Sequence, residues 1–219
     1  VREITLLGQF FFMLAQFIWL LHFHVGWLHF HTAALPWWNP LALIAVTLGL
    51  SCWWGWQKSL PTGLACAYRW VALVMSLLWV WDYAPEHQRV WAFMLLGVII
   101  FVLALWRRNR EALAASAVYA ATSLGALWLC DDLKMDIYWP NLLALLALFA
   151  MQQILRRAGG KFPFDERIHC AIVLLGGVSL WRFASVWAAG FTGGFFITMI
   201  LAGLAVFIFA AGIIFRQRF

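Results

Sequence analysis

Four of the six histidines in this chain stand within ten residues of one another, as His22, His24, His29 and His31 in the run HFHVGWLHFH. Imidazole is the commonest side-chain ligand for zinc, copper and haem iron, so the run is a candidate metal or pigment site. On a continuous helix His22 shares a face with His29, and His24 with His31, but seven residues rise about 10.5 Å, too far for one ion. If the helix breaks at Gly26 and the chain extends, each His-x-His pair turns to one side and the two pairs can converge on zinc or copper. Axial ligation of haem or a chlorophyll-type pigment would use the same residues. The plainer expectation is a neutral interfacial set satisfied by water or lipid headgroups.

A second polar group is acidic: Asp82 and Glu86, with His87 beside them, in one gap between apolar runs, and Asp131, Asp132 and Asp136 in another. Such carboxylates can hold a hydrated cation or support a metal's ligands, and equally they keep short loops in water. Arg69 and Arg182 are different, because they fall inside apolar runs. An unpaired guanidinium in a bilayer costs about 2.5–3.5 kcal/mol even on the lenient insertion scale, so both need partners or a way out. Arg69 lies about two turns inside its run and can snorkel to the surface. Arg182 is placed deeper, and its run holds no acid, so its partner must be another helix, a carbonyl, a lipid phosphate or a ligand. Gln9, Gln16, Gln152 and Gln153 suit interhelical hydrogen bonds. Nothing pairs a nucleophile with a base at a recognisable spacing.

The elements that must position these residues are transmembrane helices. With 65% apolar and 11% charged residues, 219 residues cannot be packed as one soluble domain, and only helices or closed barrels satisfy their backbone in lipid. Runs this continuous predict an all-α, polytopic integral membrane protein with about eight spans, near residues 3–24, 39–57, 62–81, 90–106, 112–130, 139–155, 168–187 and 193–215. Basic residues mark every second gap: Arg2, Lys58, the trio Arg107, Arg108 and Arg110, the group Arg156, Arg157, Lys161 and Arg167, and Arg216 with Arg218. These are 11 of 15 Lys and Arg. The positive-inside rule places them, and both termini, on the cytoplasmic side of the membrane. A net charge of +6 at helix ends points to anionic lipid headgroups as partners, and not to nucleic acid.

Many of the 16 tryptophans, among them Trp37, Trp38, Trp53, Trp54, Trp56, Trp106 and Trp139, fall near span ends, as an interfacial belt requires. Cys52, Cys66, Cys130 and Cys170 form no CxxC pattern, and a disulfide framework is not expected. Glycines and alanines in the last two spans suit close helix contact. The first run lacks a small-residue cleavage site and reads as a retained span; the initial Val suggests a piece of a longer chain.

The two halves echo each other. Arg2-Glu3 and Arg110-Glu111 each open a span, Asn39, Leu41, Ala42 and Leu43 match Asn141, Leu143, Ala144 and Leu145, and Cys66-Ala67 matches Cys170-Ala171. The offsets of about 102 to 109 imply two parallel four-helix repeats, residues 1–108 and 109–219, in one membrane domain.

The join from Trp106 to Glu111, the Trp-Pro-Asn-Leu-Leu entry from Trp139 to Leu143 and the close from Gly193 to Phe219 resemble segments of large polytopic bacterial membrane proteins grouped as a domain of unknown function. The resemblance implies fold and compartment and carries no activity. The expected role is an accessory or structural membrane subunit, or part of a larger polytopic protein, packing against lipids and other membrane subunits. One alternative is a carrier for a lipidic or amphiphilic anion received by Arg182 and Arg69. Another is a haem, copper or pigment-binding subunit using the outer histidines.

Overall fold

The computed structural model describes residues 7–16, 18, 38–56, 62–129, 138–158, 166–189, 198–203 and 205–206. These residues form helices α1 (Leu7–Gln16), α2 (Trp38–Trp56), α3 (Thr62–Tyr83), α4 (Glu86–Arg107), α5 (Arg110–Leu129), α6 (Tyr138–Arg157) and α7 (Glu166–Ala189), with a further helical stretch over 198–203. No strand occurs among them. The expected all-α class therefore holds. Among the described residues, four helices are long and apolar enough to cross a membrane: Gly63–Tyr83, Glu86–Arg107, Arg110–Leu129 and His169–Val186. The apolar parts of α1 and α2 are shorter. Helix α6 has 20 residues but includes Asn141, Gln152 and Gln153 and ends on Arg156 and Arg157.

Large apolar side chains cover the outside of these helices, including Leu95, Ile99 and Val102 on α4 and Leu174, Leu175 and Val178 on α7. Water would not tolerate so extended an apolar surface, whereas lipid does. Trp38, Trp53, Trp56, Trp106 and Trp139 are exposed near helix ends, where a ring can lie in the headgroup layer with its N–H in water.

The chain divides into two compact units, Val1–Ser76 and Leu77–Phe219. In the first, polar side chains bond to one another across helices. Gln16 Nε2 donates to Thr47 Oγ1 at 2.6 Å, the Tyr68 hydroxyl donates to Gln9 Oε1, and Ser51 Oγ donates to the Ala65 carbonyl at 3.1 Å.

In the second unit, α4 and α5 form a tight antiparallel hairpin. Its turn is two residues long, and each has a task. Arg108 takes a left-handed conformation (φ 51°, ψ 41°), and the Asn109 N–H returns to the Ala104 carbonyl at 3.0 Å, closing α4. Asn109 Oδ1 then accepts the Glu111 N–H at 2.9 Å, opening α5. Two serines pin the register: Ser116 Oγ donates to the Gly97 carbonyl at 2.9 Å and Ser123 Oγ to the Val90 carbonyl at 2.6 Å. Both residue pairs sum to 213, as one antiparallel alignment demands. Gly97 lets the backbones approach, since a Cβ there would stand 3.3 Å from Tyr119 Cβ.

The expected start of the fourth span near residue 90 is four residues late. Glu86, His87 and Arg89 belong to α4, and Asp82 to the last turn of α3, leaving Ala84 and Pro85 as the whole connection. Pro85 is extended (φ −53°, ψ 145°) and Glu86 supplies a negative charge to the first turn, both favourable at a helix start.

Candidate functional site

Helix α5 carries small residues along one side: Ala114, Ala117, Ala120 and Ala121, at the three- and four-residue spacing of a helical stripe. Side chains of α4, α6 and α7 do not fill the space these leave. The result is a cavity of about 460 Å³, bounded by Phe101 of α4, the alanine stripe of α5, Leu148, Met151, Gln152 and Leu155 of α6, and Ile172 and Leu175 of α7. Its α5 wall runs from Arg110 to Leu124, about 21 Å at the helical rise. The volume lies in the range of small-molecule sites, roughly 300–1,000 Å³.

Three polar residues reach this otherwise apolar wall. Arg110, the first residue of α5, is exposed and stands at the end of the stripe. Ser116 has its hydroxyl proton committed to Gly97. Gln152 is only 3% exposed, and its Oε1 has no hydrogen-bond partner. A buried amide without partners costs free energy, about 1–3 kcal/mol, that a ligand or water can recover.

The arginines singled out in the sequence lie elsewhere. Arg182 is half-buried near the end of α7. Its Nη2 donates to the Trp128 carbonyl at 3.2 Å, and its Cζ stands 4.7 Å from the centroid of the Trp128 ring. The indole is itself held by Nε1 donating to Ser179 Oγ at 3.1 Å. Trp128 is the penultimate residue of α5, so the guanidinium meets one of the four carbonyls that a helix end leaves without an internal donor. Its partner is thus a carbonyl of another helix, supplemented by a ring face. Arg69 Nη1 approaches Ser51 Oγ at 3.4 Å in the first unit. Neither arginine lines the cavity.

Of the acidic group, Asp82 and Glu86 flank the α3–α4 turn. Glu86 pairs with Arg89 at 3.7 Å, and Arg89 stacks over Trp81 at 4.8 Å while donating from Nε to the Ala84 carbonyl at 3.3 Å. This reads as a stapled helix junction. His22, His24, His29, His31, Asp131, Asp132 and Asp136 lie outside the described residues. Among the described residues, no three His, Cys, Asp or Glu side chains gather as a metal site would need.

The sequence presents Arg110 as a cytoplasmic charge that opens a span and Gln152 as a residue for interhelical hydrogen bonds, with no motif to join the two. The signal that would have joined them is the alanine stripe beginning one turn after Arg110. No protein-family model matches the chain, and no curated protein or solved structure matches it either.

Proposed function

We propose that this is a multi-pass protein of a bacterial inner membrane, with both termini cytoplasmic, whose second unit binds a membrane amphiphile and serves as a carrier or lipid-holding subunit. The observation that supports this reading best is the cavity itself: a long apolar trough with one cation at its end and one unsatisfied amide in its wall. An acyl chain suits the alanine, leucine and isoleucine lining, because it keeps the apolar surroundings it has in the bilayer and gains the close packing of a shaped wall. Arg110 then marks the end at which the polar headgroup sits. This moves the charged contact of an anion carrier from Arg182 and Arg69 to Arg110. The distribution of basic residues supports the orientation.

The test is lipid retention. Purified protein is extracted with organic solvent, and bound amphiphiles are counted by mass spectrometry against Ala117→Phe, which fills the cavity from an exposed position and so spares the helix packing. A stoichiometric amphiphile on the unaltered protein, lost in the variant, is the expected outcome. Equal lipid content in the two proteins would end the reading.

A further inference from the structure

The polar atoms of the cavity restrict which amphiphile can occupy it, an inference that rests on the binding role given above. Arg110 supplies positive charge, and among the described residues that line the cavity none is a carboxylate. An anionic headgroup is therefore favoured over a neutral or zwitterionic one. Gln152 adds a second requirement. Its amide is more than nine-tenths buried, faces the cavity and leaves Oε1 without a donor. An amide offers both an acceptor oxygen and donor hydrogens, and a hydroxyl, which also does both, satisfies it whichever way the amide is turned. The volume of about 460 Å³, spread along an α5 wall about 21 Å long, suits a single chain.

We propose that the occupant is a single-chain anionic membrane lipid whose headgroup contacts Arg110 and whose free hydroxyl, between head and tail, bonds to the Gln152 amide. A monoacyl glycerophosphate has this chemistry: a phosphate for the guanidinium, one unesterified glycerol hydroxyl for the amide, and one chain for the trough.

Three probes separate the contributions, added to the full chain in a non-ionic detergent, with Kd read from the probe-dependent rise in thermal midpoint. Monopalmitoyl glycerol phosphate carries both features, hexadecyl phosphate lacks the hydroxyl, and monopalmitoyl glycerophosphocholine has the hydroxyl but no net charge. The first is expected to bind about tenfold tighter than either of the others. Arg110→Gln should erase the difference between phosphate and phosphocholine while keeping the hydroxyl preference, and Gln152→Leu should do the reverse. Equal affinity for all three probes on the unaltered protein would overturn the assignment, whether or not either variant folds. If that equal binding is abolished by Ala117→Phe, the cavity still binds amphiphiles and only the headgroup assignment falls. If Ala117→Phe leaves binding of every probe unchanged, both readings fall.

Discussion

The two units differ in where most of their interhelical hydrogen bonds go. In Val1–Ser76 the interhelical bonds of the long polar side chains run mostly to other side chains, Tyr68 to Gln9, Gln16 Nε2 to Thr47 and Arg69 to Ser51, although Ser51 itself donates to the Ala65 carbonyl and Gln16 Oε1 has no partner. In Leu77–Phe219 more of them turn to main chain, Ser116 and Ser123 to carbonyls of α4 and Arg182 to the end of α5, beside the side-chain pair of Trp128 with Ser179; Gln152 Oε1, like Asn141 Oδ1 and Arg182 Nε, has no partner among the described residues. Side-chain pairs of the first kind close an interior. Serine-to-backbone bonds of the second kind set helices at a fixed register without filling the space on their far sides, and the alanines of α5 leave that space open. A site is thus expected in the second unit, at Gln152, where an unsatisfied amide and the open space coincide.

If this contrast is right, the largest change comes from breaking the close approach of α4 and α5. Gly97→Val would drive a branched side chain into Tyr119 Cβ and the Ser116 carbonyl, at 3.3 and 3.5 Å from the first added carbon. Overpacking of this kind costs about 1–3 kcal/mol and should lower the denaturant midpoint in micelles accordingly. By contrast, Gly176→Ala meets only the far edge of the Phe149 ring and the end of Leu148, which can turn aside. A large loss at Gly176 and none at Gly97 would contradict the pinned hairpin.

Next in size is a difference in sign between units. Tyr68→Phe removes a donor from fully buried surroundings and leaves Gln9 Oε1 short of a partner, a loss of about 1–1.5 kcal/mol. Gln152→Leu, measured in protein stripped of lipid, replaces an unsatisfied amide with an apolar group of similar size and should be neutral or stabilising. Equal destabilisation by both changes would show that Gln152 is as well partnered as Tyr68, and the contrast would collapse.

How much of this was legible in the residues follows from what each signal measures. The apolar runs behind α3, α4, α5 and α7 predict helices within a few residues of those observed, each long and apolar enough to cross a membrane, because continuous hydropathy over about 20 residues favours a helix of that length. By charge Glu86, His87 and Arg89 read as loop and set the expected start of α4 near residue 90, whereas Pro85 and the Arg89 contacts to Trp81 and Glu86 make them a helical turn. Arg182 plainly needed a partner, and a carbonyl was among the possibilities. Which carbonyl depended on α5 ending beside α7, and no spacing in one chain encodes that adjacency. The cavity escaped notice for another reason. Alanine on a helix is ordinarily read as packing, and a stripe of it becomes a void only when three other helices stop short of it.

A smaller effect probes the way the second unit holds its arginine. Trp128→Leu removes the ring beneath Arg182 and the indole donor to Ser179 but keeps the carbonyl that Nη2 contacts. A cation–π contact at a half-exposed site is worth about 0.5–1 kcal/mol, and the variant should lose about that much. Arg182→Gln in the Trp128→Leu background should then add less than it does alone, a coupling that a double-mutant cycle reads directly. Strict additivity would mean that the ring and the guanidinium are neighbours without an energetic link.

The smallest expected change is at Ser123. Its hydroxyl reaches the Val90 carbonyl at 2.6 Å, two turns along α5 from the equivalent Ser116 bond to Gly97. Interhelical hydrogen bonds in membranes average only about 0.6 kcal/mol, because an unfolded chain in lipid also finds partners for its hydroxyls. Ser123→Ala alone should therefore shift stability by about that amount, near the limit of a micellar unfolding measurement. Its value lies in the comparison with Ser116→Ala and the double variant. If the two serines fix one antiparallel alignment, removing either leaves the other to hold it, and removing both permits α4 and α5 to slide. The double variant should then lose more than the sum, and the alanine stripe of α5 would no longer face α6 and α7 in a single register. A probe that binds tightly to each single variant and weakly to the double would tie the serine bonds to the cavity. Simple additivity with unchanged binding would leave the hairpin turn at Arg108 and Asn109 as the sole source of register.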